Sequence, residues 1–194
     1  MKLVIIRHPK PEVPKGLCYG QSDVPLIENW QADAKAIAQF MDKCYPEHNF
    51  AWYHSPLTRT QLLAYALAPQ STPVDALKEV DFGRWENCLW SDIPKADIDA
   101  WRDDLMQAAP YEGESLAVLQ ARVLAWFEPL IEADKDVVLV THSGVIKVLV
   151  AALCQFSMTE CFRLNPTYSS ITELDLGPGF ALLNRLGAGD WARG

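Results

Sequence analysis

Four short segments of this 194-residue chain hold side chains able to handle a phosphoryl group: Arg7-His8, Arg59, Glu79 and His142. Arginine stays charged and offers a planar fork to phosphate oxygens. A histidine between two such cations is disfavoured in its protonated form. A neutral imidazole is a nucleophile, so His8 is the expected attacking group. His142 suits a second role, donating a hydrogen bond to the phosphoryl oxygens as charge builds on them. The departing oxygen needs a proton. Glu79, in Leu77-Lys-Glu-Val-Asp-Phe-Gly83, is the first candidate to supply it and Asp81 the weaker one. No metal or cofactor is expected, because the cations already neutralise the phosphate.

These residues are far apart in sequence, so the fold must gather them. Lys2 to Ile6 reads as a buried strand, and Arg7-His8 come directly after it. Phe50 to His54 reads as a second strand. Ser55-Pro56 then reads as a helix start, with Ser as N-cap and Pro at the first position, which puts Arg59 in the first helical turn. Val137 to Val140 reads as another buried strand, with His142 between it and a helix over Ser143–Cys154. A cation in the first turn opposes the helix dipole unless an anion lies beside it. Two helix starts, two guanidinium groups and two imidazoles at one sheet edge describe a phosphate pocket.

The remaining pattern completes an α/β reading. Leu26, Trp30, Ile37 and Met41 recur at helical spacing, and Leu116, Leu119, Val123 and Phe127 do so in a helix from Glu114 to about Ile131. Ser170–Leu176 and Phe180–Leu186, joined by Gly177-Pro178-Gly179, predict an antiparallel pair. The expected architecture is a three-layer sandwich: a mostly parallel central sheet with helices on both faces. Residues 1–194 form one domain in this reading, with a lid-like insertion at about 84–114 that carries Trp85, Trp90 and Trp101. Those tryptophans either wall an aromatic leaving group or pack the lid onto the body.

Arg7-His8-Pro9, Ser55-Pro-Leu-Thr-Arg-Thr60, Glu79-Val-Asp-Phe-Gly-Arg-Trp85 and Val140-Thr-His-Ser-Gly144 together resemble the signature segments of the histidine phosphatase superfamily, which includes the cofactor-dependent phosphoglycerate mutases. They occur in order and span nearly the whole chain. The resemblance implies His8 as phosphoryl acceptor, Arg7, Arg59 and His142 as phosphate ligands, and Glu79 as proton donor. Pro9 replaces the family's usual glycine. Pro14 stands where many members carry a polar residue, so Gln21 or Ser22 is expected to supply that contact. Gly16 to Leu26 and Glu112-Gly-Glu-Ser115 are similar to the α-ribazole phosphatase group of cobalamin biosynthesis. A phosphoglycerate mutase and a non-catalytic phosphate-recognition module are the alternatives.

Composition bounds the partners. The net charge of -8 disfavours nucleic acid and anionic lipid, and leaves a small phosphorylated metabolite as the expected ligand. Lys10 and Lys15 could steer such an anion. No Walker loop or dinucleotide fingerprint is present. The apolar stretch from Val137 to Phe156 is interrupted by His142 and Lys147, so it reads as strand and helix rather than a membrane span. Five cysteines, an odd number without a CxxC pair, point to reduced thiols and a cytoplasmic protein. His48 and His54 read as exposed or structural, and Ser143 as a helix cap because no GxSxG surrounds it. A homodimer is left open.

Overall fold

A computed structural model describes residues 1–189. Its sheet has six strands in the order β3-β2-β4-β1-β5-β6. These are β1 (Lys2–Arg7), β2 (Ala51–His54), β3 (Thr72–Pro73), β4 (Val137–Thr141), β5 (Ile171–Gly177) and β6 (Phe180–Ala188). Pairs β1–β4, β2–β4 and β2–β3 are parallel, and β1–β5 and β5–β6 are antiparallel. The expected antiparallel pair is therefore β5 and β6, added at the edge of a mostly parallel sheet.

Strand alternation divides the core into two layers. Leu3, Ile5, Val137 and Leu139 face α4 (Leu116–Glu132) and α5 (Ser143–Leu153), packing on Leu119, Val123, Phe127 and Ile146. Val4, Ile6, Val138 and Val140 face α1 (Trp30–Cys44) and α2 (Thr58–Leu67), packing on Ile37, Met41 and Leu63. Strands covered on both faces carry continuous β-branched runs, because neither face meets water.

Several element starts differ from the sequence expectation. Helix α1 begins at Trp30, not near Leu26, because Leu26 forms an antiparallel bridge with Pro11. Helix α2 begins at Thr58, and Ser55 is not its cap. The cap comes from a distant loop: Thr58 N donates to Asp23 Oδ1 at 2.9 Å, and the Thr58 hydroxyl donates to Asp23 Oδ2. Helix α4 begins at Leu116, where Ser115 Oγ accepts from Val118 N. His142, not Ser143, is the N-cap residue of α5.

Residues 84–114 hold one regular helix, α3 (Lys95–Asp103), and the end of a 3-10 turn at Gly83–Trp85. Cys18, Trp85, Ile93 and Tyr111 are buried together there, with Phe82, Trp90 and Trp101 packed against them. The tryptophans thus form a small core of their own, its rings meeting mostly edge to face. No helix among the described residues is long and apolar enough to cross a membrane.

Candidate active site

Parallel strands β1, β2 and β4 end at one edge of the sheet, where ligands of open α/β folds sit. His8 lies just past β1 and His142 just past β4, and their ring centroids are 5.1 Å apart. Arg59 enters from the first turn of α2. The structure therefore brings Arg7, His8, Arg59 and His142 together.

The proton on His8 is located by its partner. His8 Nδ1 lies 2.6 Å from the carbonyl oxygen of Pro9, which can only accept. Nδ1 therefore donates, and Nε2 keeps the lone pair. Burial, then the charges of Arg59 and Arg7, hold the ring's pKa well below the ordinary histidine value of 6.5. Burial and the same two arginines, with His8 itself, depress His142 likewise. Nε2 of His142 pairs with Ser55 Oγ at 2.8 Å. Ser55 thus serves the second histidine rather than the helix start.

The arginines are held by carbonyl oxygens instead of carboxylates. Arg7 Nη1 donates to Pro166 O at 2.7 Å, and its guanidinium stacks 3.9 Å from the centre of the Tyr168 ring. Arg59 is fully buried and donates to Ser22 O at 2.8 Å and Gly20 O at 2.6 Å. Among the described residues neither forms an ion pair. Arg7 Nε, Arg59 Nε and His142 Nδ1 are buried without a hydrogen-bond partner. Buried guanidinium donors in that condition are costly, and an anionic ligand is the usual remedy. Tyr168 and Tyr19, joined hydroxyl to hydroxyl at 2.6 Å, support the two guanidinium groups from beside the cleft.

Glu79 occupies the N-terminus of α5. Both of its carboxylate oxygens accept from Gly144 N at 3.1 Å. A side chain on residue 144 could not coexist with this seat, because a Cβ there would lie 2.2 Å from Glu79 Oε1. Asp23 at α2 and Glu79 at α5 thus place one carboxylate at each helix start. The two N-termini expected to bind phosphate are occupied by the chain's own acids.

A cleft of about 110 Å³ is lined by Arg7, His8, Tyr19 and Glu79, with Cys18, Phe82 and Trp90 among its walls. Glu79 and His8 therefore face one space. Cys18 is no rival nucleophile: burial pushes its thiol up to about 12. Asp81 is turned to structural work, its Oδ1 accepting from Gly83 N at 2.8 Å.

The loop residues expected near the phosphate have other partners. Ser22 donates its hydroxyl to Glu86, and its backbone N–H donates to the same carboxylate at 2.5 Å. Gln21 Nε2 donates to Glu79 O at 3.2 Å, and Gln21 N donates to Glu86 Oε1 at 2.7 Å. Glu86 also accepts from Phe82 N at 3.1 Å, so one carboxylate ties residues 21–22 to the strip that carries Glu79. Lys10 and Lys15 are exposed.

Sequence reasoning missed a second clamp. Arg122 on α4 forms a two-pronged pair with Glu114 at 2.7 and 2.6 Å. The same guanidinium donates to the carbonyls of Ala76, Lys78 and Glu79 at 2.8, 3.0 and 3.2 Å. Three of these five bonds thus fix the backbone on which Glu79 stands. The available signal was Glu114 beside the helix cap Ser115 in the Glu112–Ser115 segment. Among the described residues no group of three or more His, Cys, Asp or Glu side chains is placed to hold a metal.

Comparison with known proteins agrees with this geometry. The sequence profile of the Histidine phosphatase superfamily (branch 1) matches residues 3–188. The chain is 28% identical over 184 residues to phosphoserine phosphatase 1 of Hydrogenobacter thermophilus, covering 88% of this chain and 86% of that one. It is 32% identical over 178 residues to the glucosyl-3-phosphoglycerate phosphatase of Mycobacterium tuberculosis, covering 82% and 78%. The crystal structure of the alpha-ribazole phosphatase from Shigella flexneri superposes with a TM-score of 0.85 at 25% identity, over 97% of this chain and 96% of the other. With its sheet order, its paired histidines and a profile match over nearly its whole length, the chain belongs to the histidine phosphatase superfamily, branch 1.

Proposed function

We propose that this histidine phosphatase hydrolyses small phosphomonoesters through a phosphohistidine at His8. One observation carries the reading. Two guanidinium groups without a carboxylate partner flank an imidazole whose proton is pinned on Nδ1 by the Pro9 carbonyl. Such a site is built for a dianion and presents a lone pair to it.

The reaction runs in two in-line displacements. In the first, His8 Nε2 attacks phosphorus. The N–P bond forms, the bond from phosphorus to the ester oxygen breaks, and Glu79 gives that oxygen its proton. In the second, the Glu79 carboxylate takes a proton from water as the water oxygen attacks phosphorus. The N–P bond breaks, inorganic phosphate leaves, and Nε2 regains its lone pair. Arg7, Arg59 and His142 hold the oxygens on which charge develops. Residues 84–114 cover the leaving-group side, a role supported by Trp90 in the wall of the cleft. Gln21 and Ser22 act through the backbone and Glu86, positioning this cover and Arg59.

The substrate is expected to be a free phosphorylated metabolite. Five free cysteines support a cytoplasmic setting. α-Ribazole 5'-phosphate is the first compound to assay, then phosphoserine and 3-phosphoglycerate. Phosphate release by the native protein, alkali-stable phosphate on His8, and loss of both in His8→Ala are the expected results. Equal turnover by native and His8→Ala protein would remove His8 from the mechanism. Isomerisation of 3-phosphoglycerate without phosphate release would identify a mutase instead.

A further inference from the structure

A second cavity, of about 170 Å³, is also lined by Glu79. Glu79 and Phe82 line both spaces, so the two are neighbours. The walls of the second are largely apolar: Trp101, Tyr111, Leu116, Leu119 and Phe162 contribute. Its volume is that of a cavity able to admit a benzene-sized body. The cleft at His8 is smaller and has Arg7 and His8 in its wall, so it suits the phosphoryl group alone. The alcohol part of a phosphomonoester must extend past Glu79, because Glu79 has to reach the ester oxygen.

One wall of this cavity is anomalous. Lys147, half-buried on α5, lines it. Among the described residues its ammonium forms no ion pair, and its contact is with the Phe162 ring, 5.4 Å from the centroid. Residue 147 stands one turn beyond the seat of Glu79 at Gly144. Helical side chains lean toward the N-terminus, which directs this lysine toward the cavity mouth and Glu79. Burial outweighs the attraction of Glu79 and lowers the ammonium's pKa, in keeping with an apolar surrounding. Glu79 is already held by the N–H groups of Gly144 and Val80, at 3.1 Å each.

We infer that this cavity is the leaving-group subsite, and that it selects phosphomonoesters whose alcohol carries a carboxylate on a compact apolar or aromatic body, with Lys147 as the carboxylate's partner. The inference rests on the phosphatase reading of His8 and Glu79 and adds a substrate class to it. The site would thus hold two anionic groups at opposite ends: the phosphoryl group among Arg7, Arg59 and the histidines, and the carboxylate at Lys147. Glu79 borders both spaces, and the ester oxygen must lie within its reach.

The test compares phenyl phosphate with 3- and 4-carboxyphenyl phosphate on native protein, Lys147→Met and Lys147→Arg. The readout is the ratio of kcat/KM for the better carboxylated ester over phenyl phosphate, which does not depend on how much of a variant is folded. Native protein should prefer the carboxylated ester by about tenfold or more, the worth of a charge-assisted contact. Lys147→Met should abolish the preference, and Lys147→Arg should keep most of it. No preference in native protein would overturn the inference. A ratio unchanged in Lys147→Met would do the same, since a lysine acting on Glu79 or on folding lowers both substrates alike. Failure of the underlying reading looks different: neither ester is hydrolysed by native protein, or His8→Ala hydrolyses both as well as native does, and the inference falls with it.

Discussion

Arg7, His8, Arg59 and His142 stand at a strand end or in the first turn of a helix, whereas Glu79, Phe82 and Trp90 stand on a strip with little regular structure. Residues 78–94 contain one 3-10 turn, at Gly83–Trp85, and an isolated bridge at Leu89. The first group inherits its geometry from the sheet. The second is tied in place by side chains: Glu86 to the loop at residues 21–22, and Arg122 with Glu114 to the backbone of residues 76–79. In the proposed reaction the first group binds the phosphoryl group, which every phosphomonoester shares, so it can be rigid and general. Alcohols differ, and the group proposed to meet them is made of loop and aromatic side chains, which change more freely than a sheet. If this division holds, damage to the first half lowers turnover of all substrates together, and damage to the second reorders them.

The largest effect tests the shared half. His8→Ala should lower kcat by roughly ten-thousandfold or more on every ester, as expected when a nucleophile is removed from a unit that acts together. A loss that varied strongly with the alcohol would break the division. Next is Glu79→Gln, which removes the proton donor but keeps an oxygen that can accept from Gly144. General acid catalysis is worth about a hundred- to ten-thousandfold. The loss in kcat/KM, which reports formation of the phosphohistidine and not its later hydrolysis, should be near the upper figure for an alkyl phosphate and far smaller for p-nitrophenyl phosphate, whose leaving group departs without a proton. Equal losses in kcat/KM on the two esters would mean that Glu79 is not the acid.

The phosphate half was legible in the sequence for the same reason that it is rigid. Continuous β-branched runs mark strands buried on both faces, and residues just past the end of a parallel strand must emerge at the ligand edge. Arg7-His8 and His142 could be placed together from that alone. Contacts between distant loops leave no local mark. Tyr19 and Tyr168 share a hydrogen bond across 149 positions, and Asp23 caps a helix that begins 35 residues later. Ser55 looked like a helix cap because its type and its Pro neighbour fit one, yet the imidazole of His142, brought in from another strand, claimed its hydroxyl. Lys147 registered only as a break in an apolar run, since nothing near it in sequence shows that it borders a cavity.

A middle-sized effect sharpens the account of the loop half. Glu114→Gln weakens the two-pronged pair with Arg122 and should lower kcat about tenfold while leaving KM nearly unchanged. Glu114 meets no substrate in this account; it positions the backbone of Glu79. In a Glu79→Gln background the same change should therefore have almost no further effect, and the two losses should not add. Full additivity, or a loss confined to thermal stability, would reduce the Arg122–Glu114 pair to a structural tie.

The smallest effect concerns stability and returns to the phosphate half. Burial and two arginines depress His8 and His142, so both stay neutral in the folded protein as pH falls below 6.5. In the unfolded chain they take up protons in that range. The unfolded state then binds more protons than the folded one, so stability is fully present above the unfolded pKa and is lost as pH falls toward the depressed folded values. Most carboxylates titrate lower, near pH 4, which leaves the window from 6.5 to 5.5 largely to the histidines. Replacing His8 by Asn removes one of these groups. Between pH 7 and 5.5 the native protein should lose about 1 kcal/mol more than His8→Asn, read from urea unfolding at each pH. Trp90→Ala, on the loop half, removes no titratable group and should track the native slope. A native protein no more acid-sensitive than His8→Asn would mean that His8 is charged within the fold, and a charged ring cannot present the lone pair that attack on phosphorus requires.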